Sequence, residues 1–124
     1  MIYRSKTKQP DSEIPTFDDV CGKIRVLTSA KETDKINLVE VVANKPAMCH
    51  FHRKTTEIYY VVEGKGWVRI SGRAHGIKHG SRVIIQPGDC HQLLPKSGST
   101  LKVLVMAAPA WQKTDEFKCE EHNP

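Results

Sequence analysis

Four side chains of metal-binding type are spaced so that neighbouring strands could bring them together. His50 and His52 lie two residues apart, and residues two apart on a β-strand point to the same face. Glu57 follows a short polar segment, 53–56, which we expect to turn the chain back, and His91 follows a later proline–glycine turn. Imidazole nitrogens and carboxylate oxygens are ligands that suit Fe, Mn, Ni, Cu and Zn. The four residues therefore predict a site for one divalent transition metal.

Short segments rich in β-branched residues, separated by glycine and proline turns, make up most of the chain. A rhythm of about nine strands with turns every ~8–12 residues is typical of an all-β sandwich or barrel. No segment longer than about ten residues carries the apolar periodicity of a helix. The predicted strands lie at 24–27, 36–42, 47–52, 57–62, 67–70, 82–85, 91–94 and 101–106, with a short one at Ile77.

The connecting segments carry more specific expectations. The glycines of 63–66 predict a tight antiparallel hairpin between the strands on either side. Residues 17–20 are expected to form a turn or the start of a helix. Thr114 is expected to cap a helical turn at 114–117. Met48 has the parity of the two neighbouring histidines, so we expect it to point inward with them.

Alternation places the candidate ligands on the apolar faces of their strands. Glu57 shares a face with Tyr59 and Val61, and His91 shares a face with Leu93. Burying an unpaired carboxylate costs several kcal/mol, and a divalent cation would supply the missing counter-charge. The pattern therefore favours a metal inside a small barrel over the alternative of four unrelated polar residues.

Two stretches resemble the motifs of a known family. The stretch His50-x-His52-x4-Glu57-x6-Gly64 resembles the first motif of the cupin superfamily. The stretch Gly80-x5-Gln86-x-Gly88-x2-His91 resembles the second, and the likeness extends over roughly residues 36–106. The departures are Asn44 in place of a motif glycine, Gln86 in place of a proline and Pro95 in place of an asparagine.

The departures fall in turns and leave the ligand positions intact. The resemblance implies a jelly-roll barrel (double-stranded β-helix) of roughly six to eight strands. It also implies one metal, commonly Fe, Mn, Ni, Zn or Cu, on the four residues His50, His52, Glu57 and His91.

A complete ligand set predicts a metalloenzyme. Four protein ligands leave one or two positions open on a metal that prefers five or six, as Lewis-acid and O₂ chemistry require. The resemblance implies dioxygenase-like or isomerase- and lyase-like reactions on a small, oxygen-bearing substrate. Tyr59 is the candidate catalytic acid or base because it shares parity with Glu57. The alternative for Tyr59 is a ring that only packs on the barrel wall.

Two other functions are compatible with the same residues. One is a non-catalytic module that binds a sugar or small acid with the metal as anchor, which the lack of an obvious second catalytic group favours. The other is an interaction protein in which residues 2–28 form a subunit interface and Trp67 is a surface anchor. We therefore predict a homodimer whose further partner is a small molecule.

Positive charge is concentrated in the middle of the chain. Lysine and arginine outnumber aspartate and glutamate by 19 to 14, a net charge of +5. The excess falls within residues 45–82, at Lys45, Arg53, Lys54, Lys65, Arg69, Arg73, Lys78 and Arg82. Such a zone suits an anionic ligand such as a sugar phosphate or carboxylate, and an ordinary solvated face is the alternative. It accompanies no recognisable nucleic-acid motif, so we expect no nucleic-acid partner.

The cysteines and the start of the chain bear on its location. Cys21, Cys49, Cys90 and Cys119 form no CxxC pair, which argues against a zinc ribbon. The chain opens without a signal-like apolar segment, and no run approaches the ~18 apolar residues of a membrane span. We therefore expect a cytoplasmic chain with reduced thiols and no membrane partner.

The 124 residues are expected to form one folded domain. We divide the chain into an N-terminal arm at 1–20, a barrel at 21–110 and a C-terminal tail at 111–124.

Overall fold

The computed structural model describes residues 2–4, 7–9 and 14–119, with only the backbone of the first two ranges. The described strands, in chain order, are β1 (Ile2–Arg4), β2 (Thr7–Gln9), β3 (Phe17–Asp19), β4 (Gly22–Thr28), β5 (Asn37–Ala43), β6 (His50–Phe51), β7 (Thr56–Glu63), β8 (Lys65–Ile70), β9 (Arg73–Lys78), β10 (Arg82–Ile85), β11 (His91–Pro95), β12 (Leu101–Ala108) and β13 (Phe117–Lys118). A 3-10 helix at Lys113–Asp115 lies between the last two strands. The described residues include no helix long and apolar enough to cross a membrane.

The strands form two main antiparallel sheets. The first has the order β10-β7-β12-β5-β4-β3, and the second has the order β13-β6-β11-β8-β9. The strand β12 pairs along its length with both β5 and β7, so it lies at the centre of the first sheet. The strands β1 and β2 pair only with each other. The predicted all-β jelly-roll architecture is confirmed.

The core lies between the two sheets and is built by strict alternation. On β5 the buried side chains are at 37, 39, 41 and 43, and on β12 they are at 101, 103, 105 and 107. Each fully buried aliphatic side chain contributes roughly 1.5–3 kcal/mol. On β7 the side chains of Tyr59 and Val61 are buried, whereas Ile58 and Tyr60 are each 40% exposed. The predicted parity of this strand is therefore confirmed, and it turns Glu57 inward.

The predicted hairpin at 63–66 is wrong. The strand β7 belongs to the six-stranded sheet, whereas β8 pairs with β9 and β11 in the other sheet. Gly64 carries the chain from one sheet to the other with φ +89°, a conformation that side chains with a Cβ rarely adopt. A Cβ added there would lie 2.0 Å from the carbonyl oxygen of Thr100.

Three local expectations are also wrong. Phe17–Asp19 is a strand, because it finds hydrogen-bonding partners in the neighbouring β4. In place of the predicted helical turn at 114–117, the structure has a 3-10 helix at Lys113–Asp115. The N-cap residue of this helix is Gln112, so Thr114 does not cap it. Met48 is 44% exposed, because regular strand structure begins only at His50 and alternation does not apply before it.

The expectation of reduced thiols is wrong for two of the four cysteines. Cys90 and Cys119 form a disulfide, with their Cα atoms 6.1 Å apart. The two residues are 29 positions apart in sequence and meet because β6 pairs with β11 on one side and β13 on the other. Linear spacing contains no signal of this three-strand arrangement. Cys21 and Cys49 lie outside the disulfide.

Replacement of Gly64 by alanine should strongly destabilise the barrel. The variant combines an unfavourable positive φ with a backbone clash, so we expect a loss of more than about 3 kcal/mol in the free energy of unfolding. Gly72→Ala is the matched control, because Gly72 has φ +85° but no atom within 4 Å of the added Cβ. The control should lose only about 1–2 kcal/mol. Urea unfolding measures both, and equal losses would contradict the role assigned to the Gly64 crossing.

Candidate metal centre

Both sheets contribute to one buried polar cluster. His50 begins β6 and His91 begins β11, and the two are cross-strand partners in the five-stranded sheet. His52 follows β6 directly, and Glu57 projects from β7 in the opposite sheet. The histidines are 1–2% exposed and Glu57 is 5% exposed. The structure therefore brings together the four residues singled out in the sequence, with the carboxylate facing the imidazoles across the barrel.

Ring nitrogens and a carboxylate oxygen converge on a common point. One nitrogen from each of His50, His52 and His91 lies within 4.8 Å of the others. The Oε1 atom of Glu57 lies 3.5 Å from Nε2 of His52 and 3.4 Å from Nε2 of His91. Ligand atoms that each bind a transition metal at roughly 2.0–2.2 Å are separated by distances of this order.

A hydrogen bond from Nδ1 fixes the tautomer of each imidazole. All three Nδ1 atoms face main-chain carbonyl oxygens, which can only accept a hydrogen bond, so Nδ1 is the donor. In the neutral ring this leaves the lone pair on Nε2, the arrangement typical of metal-binding histidines. The acceptors are Met48 at 3.0 Å from His50, Asp115 at 2.8 Å from His52 and Asp89 at 2.9 Å from His91.

Buried atoms without hydrogen-bond partners show that the cluster fits a cation. Among the described residues, the atoms of this kind include Nε2 of His52, Nε2 of His91 and Oε1 of Glu57. Two nitrogen lone pairs directed at a carboxylate repel it unless a proton or a metal lies between them. One divalent metal would satisfy all of these atoms, so the residues present fit the expected cofactor.

The pKa shifts describe how the cluster is charged without a metal. Burial would raise the pKa of Glu57, but the imidazoles of His52 and His91 outweigh this effect and lower the pKa to about 2. Burial, together with the nearby His91, lowers the pKa of His50 to about 3. Burial also opposes the charge on His52, but the carboxylate of Glu57 prevails and raises that pKa. In the metal-free cluster the imidazole of His52 therefore binds a proton more readily than a free histidine does.

Asp115 organises the loop between two candidate ligands. Its carboxylate accepts main-chain hydrogen bonds from Arg53 at 3.1 Å, Lys54 at 3.0 Å and Thr55 at 3.3 Å. Its own carbonyl orients His52, 63 residues earlier in the chain. These bonds hold the pKa of Asp115 low despite its partial burial. Sequence reasoning assigned these residues to a helical turn and missed this role, because nothing in local spacing links the two segments.

A narrow cavity of about 20 Å³, room for roughly one water molecule, adjoins the cluster between the sheets. Its apolar wall comprises Ile24, Val39, Val41, Val105 and Trp111. Its polar lining comprises Asp19, Cys21, His52, Glu57, Tyr59 and Glu116. The basic residues of 45–82 are absent from this lining.

Tyr59 and Cys21 lie on the cavity wall next to the cluster. The ring of Tyr59 meets that of His91 edge-on, with centroids 6.1 Å apart. Burial raises the pKa of Tyr59 well above its usual value, so the phenol stays protonated and serves as a donor. The Sγ atom of Cys21 lies 3.4 Å from Nε2 of His50. Burial likewise raises the pKa of this thiol.

A pair of carboxylates at the cavity was not anticipated from the sequence. The side chains of Asp19 and Glu116 are 3% and 4% exposed and share the ammonium group of Lys113. Burial raises the pKa of Glu116, and its hydrogen bond with Asp19 raises it further. The ammonium group of Lys113 lowers this pKa, but its effect is the smaller one. The three residues come from β3 and from the segment after β12, outside the stretch that carries the motifs. Glu116 is therefore a carboxyl group with a raised pKa that faces the same cavity as the candidate ligands.

The sequence matches one protein-family model, described as the AraC-like ligand-binding domain, over residues 47–113. This stretch contains all four candidate ligands and covers more than half of the chain. The chain belongs to the AraC-like ligand-binding domain family. A curated relative from Methanocaldococcus jannaschii, the uncharacterised protein MJ1618, is 26% identical over 83 residues, which span 65% of this chain and 66% of the relative.

Solved structures of the same fold include enzymes. Streptomyces Pac13 with uridine has a TM-score of 0.80 and 18% identity, covering 96% of this chain and 95% of that chain. Pac13 is described as a nucleoside dehydratase. The polyketide cyclase RemF from Streptomyces resistomycificus has a TM-score of 0.73 and 20% identity, and the match covers 94% of this chain and 87% of that chain. The predicted membership of the small cupins is confirmed, and the likeness to these structures extends to the fold.

Metal binding should release a proton from His52 at pH values below the raised pKa of that residue. At pH values below the raised pKa of His52, a proton occupies the nitrogen that the metal requires. The affinity for the metal should therefore fall up to tenfold for each unit by which the pH is lowered in this range, and it should be constant at pH values above that pKa. His50 adds nothing to this dependence, because its pKa of about 3 lies far below. Calorimetric titration in two buffers of different ionisation enthalpy counts the protons. An affinity that is flat between about pH 5 and about pH 8 would contradict the assignment.

Removal of the Asp115 carboxylate should weaken metal binding without removing a ligand. Asp115→Ala frees the three N–H groups of residues 53–55, and we expect a 10–100-fold loss of metal affinity, as is typical for groups behind the ligands. Asp115→Asn should lose less, because its amide oxygen still accepts. Competition with a chelator measures both, with Asp34→Ala as an exposed control. Unchanged affinity in Asp115→Ala would show that the loop holds its shape alone.

Proposed function

We propose that this protein is a mononuclear metalloenzyme of the lyase or isomerase type, with His50, His52, Glu57 and His91 as metal ligands. The observation that supports this proposal best is the set of buried, unpartnered nitrogen and oxygen atoms next to a cavity lined by a carboxyl group with a raised pKa. The metal, when bound, supplies a Lewis acid that polarises an oxygen atom of the substrate. Fe, Mn, Ni, Zn and Cu all suit these ligands.

The residues of the chain supply the remaining functions. The apolar wall of Val39, Val41 and Trp111 excludes water from the substrate. Glu116 holds a proton on its carboxyl oxygen and can deliver or accept it, while Lys113 and Asp19 position that carboxyl group. Tyr59, the catalytic candidate from the sequence, provides a protonated hydroxyl group on the cavity wall. Acid–base chemistry of this kind needs no O₂, which favours a lyase or isomerase over a dioxygenase.

The charge of the cavity bears on the substrate. Asp19, Glu57 and Glu116 line it, and Lys113 is the cation that contacts two of them. Lys113 and the bound metal offset the charge of these carboxylates, so we favour a small molecule with several oxygen atoms, and the anionic ligand suggested by the basic zone stays a candidate. Pac13, with its bound uridine, offers an example of this fold with such a molecule.

A non-catalytic sugar or small-acid binding module is the second candidate. The description of the family as a ligand-binding domain favours it. In that case the cavity and the metal would hold a ligand that leaves unchanged. An enzyme would use Glu116 to transfer a proton, whereas a binding module would need it only as a polar contact to the ligand.

The conversion of Glu116 to glutamine should separate the two candidates. The neutral amide keeps the size and the hydrogen-bonding capacity of the side chain but cannot transfer a proton. We expect Glu116→Gln to retain full metal content while kcat on the best of a panel of sugars and nucleosides falls roughly 10²–10⁴-fold. Glu63→Gln, on an exposed site at the end of β7, is the control.

Elemental analysis of the purified protein completes this test. The wild type should contain one metal per chain and His50→Ala far less. Ligand binding without turnover in the wild type would establish the binding module instead. An absence of metal in the wild type that metal supplementation does not correct would contradict both candidates.

Three further expectations remain proposals. We propose the homodimer, the cytoplasmic location and the division into parts 1–20, 21–110 and 111–124 on sequence grounds alone. Much of the predicted arm and the last residues, 120–124, lie outside the described residues. Light scattering at micromolar concentration tests the dimer.

A further inference from the structure

Three sulfur atoms meet on the side of the barrel where the C-terminal segment ends. The Sγ atoms of Cys49, Cys90 and Cys119 all lie within 4.8 Å of one another. Two of them form the disulfide, and Cys49 is a thiol beside it. This cluster is distinct from the cavity, whose lining includes none of the three.

Strand pairing assembles the cluster independently of the disulfide. The strand β13 pairs with β6 in the register Phe117↔Phe51 and Lys118↔His50, so Cys119 comes next to Cys49. The amide of Cys119 donates a hydrogen bond of 3.1 Å to the carbonyl oxygen of Cys49. Pairing of His91 with His50 brings in Cys90 from the other side.

Aromatic contacts reinforce the same junction. The rings of Phe51 and Phe117 pack with their centroids 5.4 Å apart. The guanidinium group of Arg53 lies 4.2 Å from the centroid of the Phe117 ring. These contacts hold β13 on β6 in addition to the disulfide, so we expect the three sulfurs to stay together when the disulfide is reduced or rearranged.

We propose that Cys49, Cys90 and Cys119 form a thiol–disulfide exchange site, which reacts with small thiols and disulfides and shares one disulfide among three sulfur atoms. In the internal step the sulfur of Cys49, as a thiolate, attacks Sγ of Cys119. The Cys49–Cys119 bond forms, the Cys90–Cys119 bond breaks, and Cys90 leaves as a thiolate that takes up the proton lost by Cys49. One disulfide is present before and after, so the step needs no oxidant or reductant.

External partners enter by the same displacement. A small dithiol reduces the disulfide and is itself oxidised to a cyclic disulfide, and a low-molecular-weight disulfide restores the bond through a mixed disulfide. Each change acts on the segment that ends at Cys119 and contains Asp115, which orients His52, and Glu116, which lines the cavity. The exchange site is therefore connected through one short segment to the candidate metal centre, although its reaction does not require a metal.

Peptide mapping of alkylated protein under non-reducing conditions tests the exchange. Wild-type protein is equilibrated with oxidised and reduced glutathione, quenched with acid and alkylated. We expect a Cys49–Cys119 link in at least roughly a tenth of the molecules, together with alkylation of Cys90 in the same share. A Cys90–Cys119 link as the only disulfide, with the label on Cys49 and none on Cys90, would overturn the proposal.

Two serine variants make the test independent of the equilibrium between isomers. Cys90→Ser leaves Cys49 and Cys119 as the pair, and we expect it to form their disulfide as completely as the matched variant Cys49→Ser forms Cys90–Cys119. Circular dichroism checks that both variants keep the sheet. The proposal would be overturned if folded Cys90→Ser, after treatment with glutathione, still had Cys49 and Cys119 open to alkylation. The result does not depend on metal content. A failure of this proposal can therefore be distinguished from a failure of the proposed enzyme function.

Discussion

The buried carboxylate of Glu57 is the constraint on which the arrangement of the barrel depends. It faces the nitrogens of His52 and His91 at 3.5 and 3.4 Å, in a place that is 5% exposed. A carboxylate there is tolerable only with a positive charge beside it, whether a proton or a metal ion. Since the imidazoles are on one sheet and the carboxylate is on the other, that positive charge also joins the two sheets. Ion binding and closure of the barrel are therefore coupled.

The C-terminal segment after β12 completes what the two motifs begin. The motif stretches supply the four candidate ligands, but the orientation of His52 and the shape of the loop at 53–55 come from Asp115. The same segment brings Lys113 and Glu116 against Asp19 and so adds the carboxyl group of Glu116 to the cavity lining. The strand β13 and the disulfide hold this segment at residues 117–119. The position of Glu116 therefore depends on the contacts of the whole segment, including the hydrogen bonds between its neighbour Asp115 and the ligand loop.

The fold and the positions of the four candidate ligands were predictable from the sequence because both depend on local rules. Alternation alone turns Glu57, Tyr59 and Val61 inward, and it succeeds because β7 is a regular strand of eight residues. The same rule failed at Met48, where the backbone is not yet extended in a sheet. The hairpin at Gly64 failed for a different reason: a glycine turn shows that the chain changes direction but not which sheet it enters. The roles of Asp115 and Cys119 depend on contacts made across the whole chain, which no spacing records.

The total charge of the chain and the charge of the residues that line the cavity are different properties. The net charge of +5 and the basic residues of 45–82 suggested an anionic ligand. Those side chains lie on strands and loops whose outward faces meet solvent, for instance Lys65, Lys78 and Arg82, all exposed. The strand alternation that buries Glu57 leaves the lysines and arginines of β8, β9 and β10 outside, so the basic exterior and the carboxylates of the cavity arise from one pattern. The exterior charges are screened within about 8–10 Å at physiological ionic strength. The residues that line the cavity therefore bear more directly on the proposed ligand than the net charge of the chain does.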